Sequence, residues 1–284
     1  MSFVNRYKHG VLAMTFAMVL ISFVPPVQAK EPLNIAAIDW CPQICPKSSE
    51  NPGYLVQMLQ DLFKDSDYTL NIIYSSWSEA INSVKAGIAD GLLSPSKDEA
   101  PDLIYHQIPL AVQTHCFWTL ADSNWQFDNI ATLKNDSIVI YRDHSYATLL
   151  AEYFSDNYKK YLFELSYDQS YLPRAHRLLK TGRASAFLFT TNSVLYFKRT
   201  HHDDSLKMGA CIKKDQLWIG LSPHQHVTSN NSEGNNQDSS KYANKINKVK
   251  AFIDQHLAIY KHSNQYKMRL KKYNILTPEV VKIK

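Results

Sequence analysis

The sequence predicts an α/β protein of two similar lobes, joined by two chain crossings, with a cleft between the lobes. The order strand, helix, strand, helix, strand occurs twice along the chain, and such alternation is typical of α/β domains. A long β-prone stretch separates the two copies, and a shorter one follows the second copy. With 284 residues and 45% apolar content, the chain is long enough to bury a sizeable core.

The N-terminal residues 1–29 predict a cleaved signal peptide. Two basic residues precede an apolar run from Val11 to Val24, and small residues end the segment at Ala29. The run is shorter than the roughly 20 residues that a membrane-spanning helix needs. We therefore predict a periplasmic protein whose mature chain begins near Lys30.

The first lobe is predicted to begin with residues 30–110. Apolar runs indicate its strands, an amphipathic period of 3.6 residues indicates its helices, and Gly87 ends the second helix. The predicted elements are a strand at Leu33–Ile38, a helix with an apolar face from Leu55 to Phe63, a strand at Leu70–Tyr74, a helix at Trp77–Ala86 and a strand at Gly91–Leu93.

The second lobe is predicted over residues 111–216. Its second helix ends in Lys180-Thr181-Gly182, as the corresponding helix of the first lobe ends in Lys85-Ala86-Gly87. The predicted elements are a strand at Ile138–Tyr141, a helix from Ser145 or Tyr146 to Phe154, a strand at Leu162–Leu165, a helix at Leu172–Leu179 and a strand at Ala186–Phe189.

Two stretches are predicted to cross between the lobes, at Ile108–Leu120 and near Leu217–Pro223. Residues 217–284 then return to the first lobe. Within them, residues 224–240 are rich in Asn, Ser, Gln and His without apolar periodicity, which predicts a mobile surface insertion. Helices are expected at Tyr242–Tyr260 and Ser263–Tyr273.

Four cysteines, Cys41, Cys45, Cys116 and Cys211, are expected to be paired in an oxidising compartment. The first two are close enough to bridge. A Cys-x3-Cys pair is also compatible with half a metal site, but neither a second Cys pair nor a His pair stands nearby. Cys116 and Cys211 would then pair by elimination, although four cysteines allow three pairings.

Short motifs in order along nearly the whole mature chain resemble the bacterial extracellular solute-binding proteins of family 3, periplasmic receptors related to polar amino acid transport. This resemblance implies a type II periplasmic binding protein-like fold, in which the lobes close on a ligand by a hinge motion. The motifs are Asp39-Trp40-Cys41-Pro42, Pro52-Gly53-Tyr54, Trp77 with Ala80, Gly87 with Asp90, Ser94-Pro95-Ser96-Lys97, Leu221-Ser222-Pro223 and Lys272-Tyr273-Asn274-Ile275.

Two departures from that family argue against an ordinary α-amino acid as the ligand. Amino acid binders of the family typically carry an Arg in the stretch matching Ser94–Glu99, where this chain has Lys97, Asp98 and Glu99. They also tend to carry an acidic residue just after the strand matching Ala186–Phe189, where this chain has Thr190. Both departures remove charge complementarity for a zwitterion, so we predict another small polar organic solute.

The predicted ligand site combines polar turns with aromatic rings, which supply contact area and attract cations. Trp40 follows a strand end, the usual ligand position in open α/β sheets, whereas Trp77 is expected in the core. Arg142, before a helix N-terminus, would replace the missing Arg or form a solvated turn with Asp143. The predicted ligand-binding residues are Asp39, Trp40, Tyr54, Ser94, Ser96, Lys97, Trp118, Tyr141, Arg142, Ser145, Tyr146 and Thr190.

Other classes of function have weaker support. A formal net charge of +5 without a concentrated basic face argues against nucleic-acid binding. Phosphate-loop, nucleophile-elbow and zinc-helix motifs are missing from the sequence, and we expect neither cofactor nor metal. The sequence predicts a monomeric, non-enzymatic binding protein that delivers its solute to a membrane transporter. The alternatives are a receptor for a membrane signalling protein and, less favoured, a cleft enzyme of the same fold.

Overall fold

The computed structural model describes residues 29–141, 150, 162–166, 170–223 and 235–276. Residues 1–28 of the predicted signal peptide, the predicted helix between 145 and 154 except residue 150, and residues 224–234 of the predicted insertion lie outside them. The described part contains nine strands and six α-helices in a two-lobed α/β arrangement, as the sequence predicts.

The first sheet has four strands in the order β2-β1-β3-β9. β1 runs parallel to β2 and β3, whereas β9 lies antiparallel to β3. Its third strand and last strand come from distant parts of the chain, so the sheet closes only after the second lobe. Its elements are β1 Glu31–Ala37, α1 Tyr54–Phe63, β2 Tyr68–Tyr74, α2 Trp77–Lys85, β3 Gly91–Leu93 and β9 Ile219–Leu221.

The second sheet has five strands in the order β6-β5-β7-β4-β8. Three parallel strands adjoin the long antiparallel pair β4 and β8, and β4 occupies most of the predicted crossing stretch. A 3-10 helix at Ile130–Asn135 precedes β5. The elements are β4 Ala111–Leu120, β5 Ile138–Tyr141, β6 Leu162–Leu165, α3 Tyr171–Lys180, β7 Ala186–Thr190, α4 Thr191–Thr200 and β8 Leu206–Leu217.

Both predicted disulfides are confirmed. Cys41 and Cys45 are bonded in the loop after β1, with their Cα atoms 4.5 Å apart. Cys116 and Cys211 face each other on β4 and β8, and their bond links residues 95 positions apart in sequence. The metal-site alternative for the first pair is therefore excluded, because both thiols are consumed.

The C-terminal helices are α5 Asn235–His262 and α6 Asn264–Tyr273. α5 begins inside the segment predicted as an insertion, because residues 235–240 are helical. These residues are all polar and give no apolar period. Their helix extends a segment anchored by buried Ile246, Val249 and Ile253, and adding residues to a formed helix is easy. In the described part of the chain, the helices are all too short or too polar to span a bilayer.

A partly buried ion pair attaches α5 to the first sheet. The Asp90 carboxylate accepts from the Asn34 backbone N–H and from Lys245 Nζ, both at 2.8 Å, and the two charged side chains are 5% and 12% exposed. We expect Lys245→Met to lower the free energy of unfolding by about 2 kcal/mol, because a buried carboxylate loses its partner. Urea denaturation should show this loss, whereas Lys248→Met on the exposed side of α5 should stay within about 0.5 kcal/mol. Equal midpoints for the two variants would contradict this role.

Candidate functional site

The strand ends of the two sheets face each other across one small cavity. In α/β sheets the carboxyl ends of parallel strands are the usual position for a ligand, because the loops there diverge. The first lobe contributes side chains that follow β1 and β3 and one residue at the start of α2, and the second contributes the ends of β5 and β7 and one residue of β4. The lining residues are Ile38, Trp40, Trp77, Ser94, Glu99, Gln113, Tyr141, Phe189 and Thr190.

Aromatic side chains form most of the cavity wall. Trp40, Tyr141 and Phe189 are buried, and Trp77 at the start of α2 is half-buried. The Trp40 backbone pairs with that of Ile44, and Ile44 lies inside the loop that the Cys41–Cys45 bond closes. The cavity measures about 30 Å³, several times smaller than a cavity that holds one benzene, about 150 Å³. A larger solute therefore requires the walls to move apart.

Ser94 is the most constrained polar residue of the cavity. Its φ of 70° lies in the left-handed region, which non-glycine residues adopt at an energetic cost. Two backbone hydrogen bonds hold it there, from Ser94 N to Trp218 O at 2.8 Å and from Trp218 N to Pro95 O at 3.0 Å. Its Oγ is buried and has no hydrogen-bond partner among the described residues. A strained, unpartnered hydroxyl at a cavity wall is typical of a functional site.

Gln113 supplies a second buried acceptor from the opposite lobe. This β4 side chain is 4% exposed, and its Oε1 also lacks a partner within the described chain. The neighbouring Thr190 hydroxyl, in contrast, donates to Ser193 Oγ at 3.0 Å. Ser193 is in turn bound by Gln43 Nε2 at 3.2 Å, a contact between the two lobes beside the cavity. The cavity therefore lies against a direct interlobe contact.

Glu99 is the charged residue among the described cavity walls. Its Oε2 accepts from Ser96 N at 3.0 Å and from Ser96 Oγ at 2.9 Å, and Ser96 Oγ accepts from Glu99 N. This reciprocal capping arrangement holds the carboxyl at the cavity. Burial raises the pKa of Glu99, although the Ser96 hydrogen bonds and Lys213 oppose that shift.

A buried ionic cluster lies on the crossing strands. His115 Nε2 is 2.8 Å from Asp215 Oδ2, and Lys213 Nζ is 3.0 Å from Asp215 Oδ1. Burial lowers the pKa of His115. Burial opposes ionisation of Asp215, yet its contacts with His115 and Lys213 hold the pKa of Asp215 below its ordinary value. In the β4–β8 ladder Gln113 pairs with Asp215, so this cluster adjoins the cavity.

Four of the predicted ligand residues, Trp40, Ser94, Tyr141 and Thr190, line this cavity together. Asp39 lines a separate space of about 180 Å³ with Cys41 and Tyr171. Arg142, Ser145 and Tyr146 lie outside the described residues. The role of each predicted residue in ligand binding stays a prediction.

The remaining predicted residues lie elsewhere in the structure. Tyr54 and Trp118 are about 1% exposed, and Trp118 Nε1 donates to Phe189 O at 3.4 Å. Ser96 donates its backbone N–H and its hydroxyl to the Glu99 carboxylate. Lys97 is exposed, and its Nζ lies 4.0 Å from the centroid of the Trp218 ring.

Sequence reasoning missed Glu99, Gln113 and Trp77 as cavity residues. Glu99 carries a signal, because Ser96-x-x-Glu99 is a capping-box pattern that directs the carboxylate back towards the turn. Gln113 is an isolated amide in a β-prone stretch, which gives no indication of the direction that its side chain takes. Trp77 was expected in the core, but its position in the first turn of α2 brings it to the cavity edge.

A Ser–His–Asp cluster also occurs in the second lobe. His176 Nε2 lies 2.7 Å from Ser205 Oγ, and His176 Nδ1 lies 3.2 Å from Asp203 Oδ2. Ser205 Oγ, however, donates to Asp203 Oδ1 at 2.5 Å. Because the hydroxyl proton is directed to the carboxylate, His176 is not placed to remove it as a catalytic triad requires. The cluster ties α3 to the chain that leads into β8.

Solved structures share this fold at low sequence identity. A histidine kinase sensor domain with similarity to periplasmic binding proteins has a TM-score of 0.67 at 18% identity, covering 88% of this chain and 98% of that chain. A structure from a study of glutathione import via GshT and TcyBC of Streptococcus mutans has a TM-score of 0.65 at 16% identity, covering 86% and 95%. The GluR0 ligand-binding core from Nostoc punctiforme with L-glutamate has a TM-score of 0.61 at 16% identity, covering 85% and 99%.

These similarities establish the class of fold. The chain has a two-lobed α/β fold like that of the periplasmic binding proteins. No protein-family model matches the chain, and no curated protein matches it by sequence. At these identities the likeness defines architecture, and the ligand must be argued from this chain's own residues.

Proposed function

We propose that this protein is a periplasmic solute-binding protein that captures a small polar organic solute between its lobes for uptake by a membrane transporter. The observation that supports this most directly is the pair of unpartnered buried atoms, Ser94 Oγ and Gln113 Oε1, at one cavity. An unsatisfied buried polar group costs about 1–3 kcal/mol. A bound solute that supplies the missing hydrogen bonds removes that penalty, and this favours ligand capture.

Capture requires the lobes to separate and close. The described cavity is far smaller than the about 300–1,000 Å³ of typical small-molecule sites. We propose a first lobe of residues 30–110 and 217–284 and a second lobe of residues 111–216, with the hinge where β4 begins and β8 ends. Opening there breaks the Gln43–Ser193 contact, and closure around a solute restores it.

We propose binding without chemistry. Glu99 is the one carboxyl among the described lining residues, and that lining offers it neither a second carboxyl nor a histidine, lysine or cysteine as an acid or base partner. A carboxylate-based enzyme needs a second group with a separate acid or base role. The proposed protein acts as a monomer and uses no cofactor.

Sensing is the alternative readout of the same cleft. The solved sensor domain of a histidine kinase is covered over 98% of its length, which supports a receptor that presents its closed form to a membrane signalling protein. Transport and sensing share the solute-binding step. Deletion of the gene separates them, because a transport protein's loss reduces solute uptake whereas a sensor's loss changes gene expression with uptake intact.

Thermal unfolding against a broad panel of amino acids, peptides, amines, organic acids and sugars tests the proposed function. A ligand at about 100 times its dissociation constant adds about 2.7 kcal/mol to the folded state. For this chain we expect a rise of about 5–10 °C in Tm with one chemical class. A flat response to every class, with no solute released on denaturation of the purified protein, would overturn the binding-protein proposal.

A further inference from the structure

The charge and hydrogen-bonding groups of the cavity define a class of ligand. Three side chains that carry oxygen acceptors line it from different elements: Ser94 and Glu99 after β3, and Gln113 on β4. Ser94 Oγ and Gln113 Oε1 are buried and have no hydrogen-bond partner among the described residues. Ser94 and Gln113 are 3% and 4% exposed. Glu99 is negatively charged when ionised, and the other described lining residues carry no formal charge. The site therefore presents acceptors and negative charge, a combination that suits a cationic donor.

The remaining walls favour a cation for a second reason. Trp40, Trp77, Tyr141 and Phe189 line the same cavity, and the faces of such rings attract ammonium groups, most strongly when water is excluded. Lys97, one of the predicted ligand residues, contacts the Trp218 and Tyr105 rings and does not line the cavity. A ligand carboxylate thus finds no cationic partner among the described cavity residues.

We infer that the solute is a small organic amine without a carboxylate, an inference that rests on the proposed function. Its protonated amino group enters the cavity and donates its three N–H bonds to Ser94 Oγ, Gln113 Oε1 and the Glu99 carboxylate. The aromatic rings cover the charged head and its carbon neighbours. The small volume of the cavity, about 30 Å³, suits an ammonium head, while the rest of the amine occupies the space that lobe opening provides.

Matched ligands test the inference by titration calorimetry. Phenethylamine carries the amine alone, phenylalanine adds a carboxylate to the same skeleton, and 3-phenylpropionate carries the carboxylate alone. Butylamine and putrescine extend the amine set to other shapes. We expect at least one amine to bind at least ten times more tightly than phenylalanine and 3-phenylpropionate. Tighter binding of either carboxylate, or no amine binding at millimolar concentration, overturns the inference.

Glu99→Gln tests the charge with the fold preserved. The amide oxygen retains an acceptor for Ser96, so the capping arrangement survives. We expect amine affinity to fall about tenfold. Glu79→Gln is the matched control, because Glu79 accepts from Ser76 N at 3.0 Å in the same arrangement at the exposed start of α2. The inference fails if both variants bind the amine alike.

The pH dependence of the amine affinity gives an independent readout. Burial raises the pKa of Glu99. The carboxyl is therefore negatively charged at higher pH and becomes protonated as the pH falls through that raised pKa. Between about pH 8 and about pH 5 the amine stays protonated, and its affinity should fall in the wild type and change less in Glu99→Gln. Other titratable or charged groups lie around Glu99 and can contribute to the pH dependence. They are Lys213 and Asp215 on β8, His115 on β4, and Asp98, Asp102 and Tyr105.

Ser94→Gly separates binding from stability. Glycine adopts φ of 70° without strain and leaves no buried hydroxyl unpartnered. We expect the unliganded variant to be at least as stable as the wild type, with amine affinity lowered about fivefold. An unchanged affinity overturns the role of Ser94.

If another solute class binds while amines do not, the proposed function stands and the ligand inference fails, whereas no binding by any class removes both.

Discussion

Removal of the Cys116–Cys211 disulfide in a C116A/C211A variant is expected to lower the free energy of unfolding by about 4–5 kcal/mol. The bond closes a loop between residues 95 positions apart, and in the chain-entropy account a loop of that length gives a stabilisation of this size. Both cysteines are almost fully buried on paired strands. Thermal unfolding should show a fall in Tm of about 10–20 °C.

The second disulfide provides the matched control for this prediction. A C41A/C45A variant opens a loop that spans only 4 positions, so the same account gives a loss of about 2 kcal/mol. The ranking of the two variants is the informative result. If C41A/C45A loses as much stability as C116A/C211A, loop length does not govern the stabilisation, and the loop after β1 has a larger role in holding the lobe together.

Elements with a strong local signal were predicted well. The short strands at Gly91–Leu93 and Ile138–Tyr141 are buried apolar runs bounded by turns, and the helix at Trp77 begins at its Ser76 cap. The first turns of α5 could not be predicted in this way. Their side chains bear no apolar stripe, and their helical state depends on the packed segment that follows them in the chain.

The lining of the cavity was predicted in part because strand ends are visible in a sequence and side-chain directions are not. Trp40, Ser94 and Tyr141 follow or end strands, and the strand-end rule brings them to one cavity. Tyr54, by contrast, is in the first turn of α1, but that helix turns it inward against Tyr273. Gln113 reaches the cavity only because β4 crosses between the lobes, a relation that no local pattern contains.

Replacement of Trp40 by alanine is expected to weaken solute binding by about thirtyfold. Trp40 is 7% exposed and forms part of the cavity wall directly after β1. A desolvated tryptophan at the centre of a binding site commonly contributes about 2 kcal/mol or more to affinity. Titration calorimetry should be performed with the solute that gives the largest rise in Tm in the panel.

Loss of a buried ring also lowers stability, so the effect on binding must be separated from the effect on folding. Trp125→Ala is the matched control, because Trp125 is a half-buried ring that packs on Phe117 outside the cavity. It should lose stability and retain affinity. Trp40→Phe, which keeps an aromatic face, should recover most of the affinity. If Trp40→Ala is folded and binds as the wild type does, the ring acts in packing alone, and recognition then depends on the acceptors Ser94, Glu99 and Gln113.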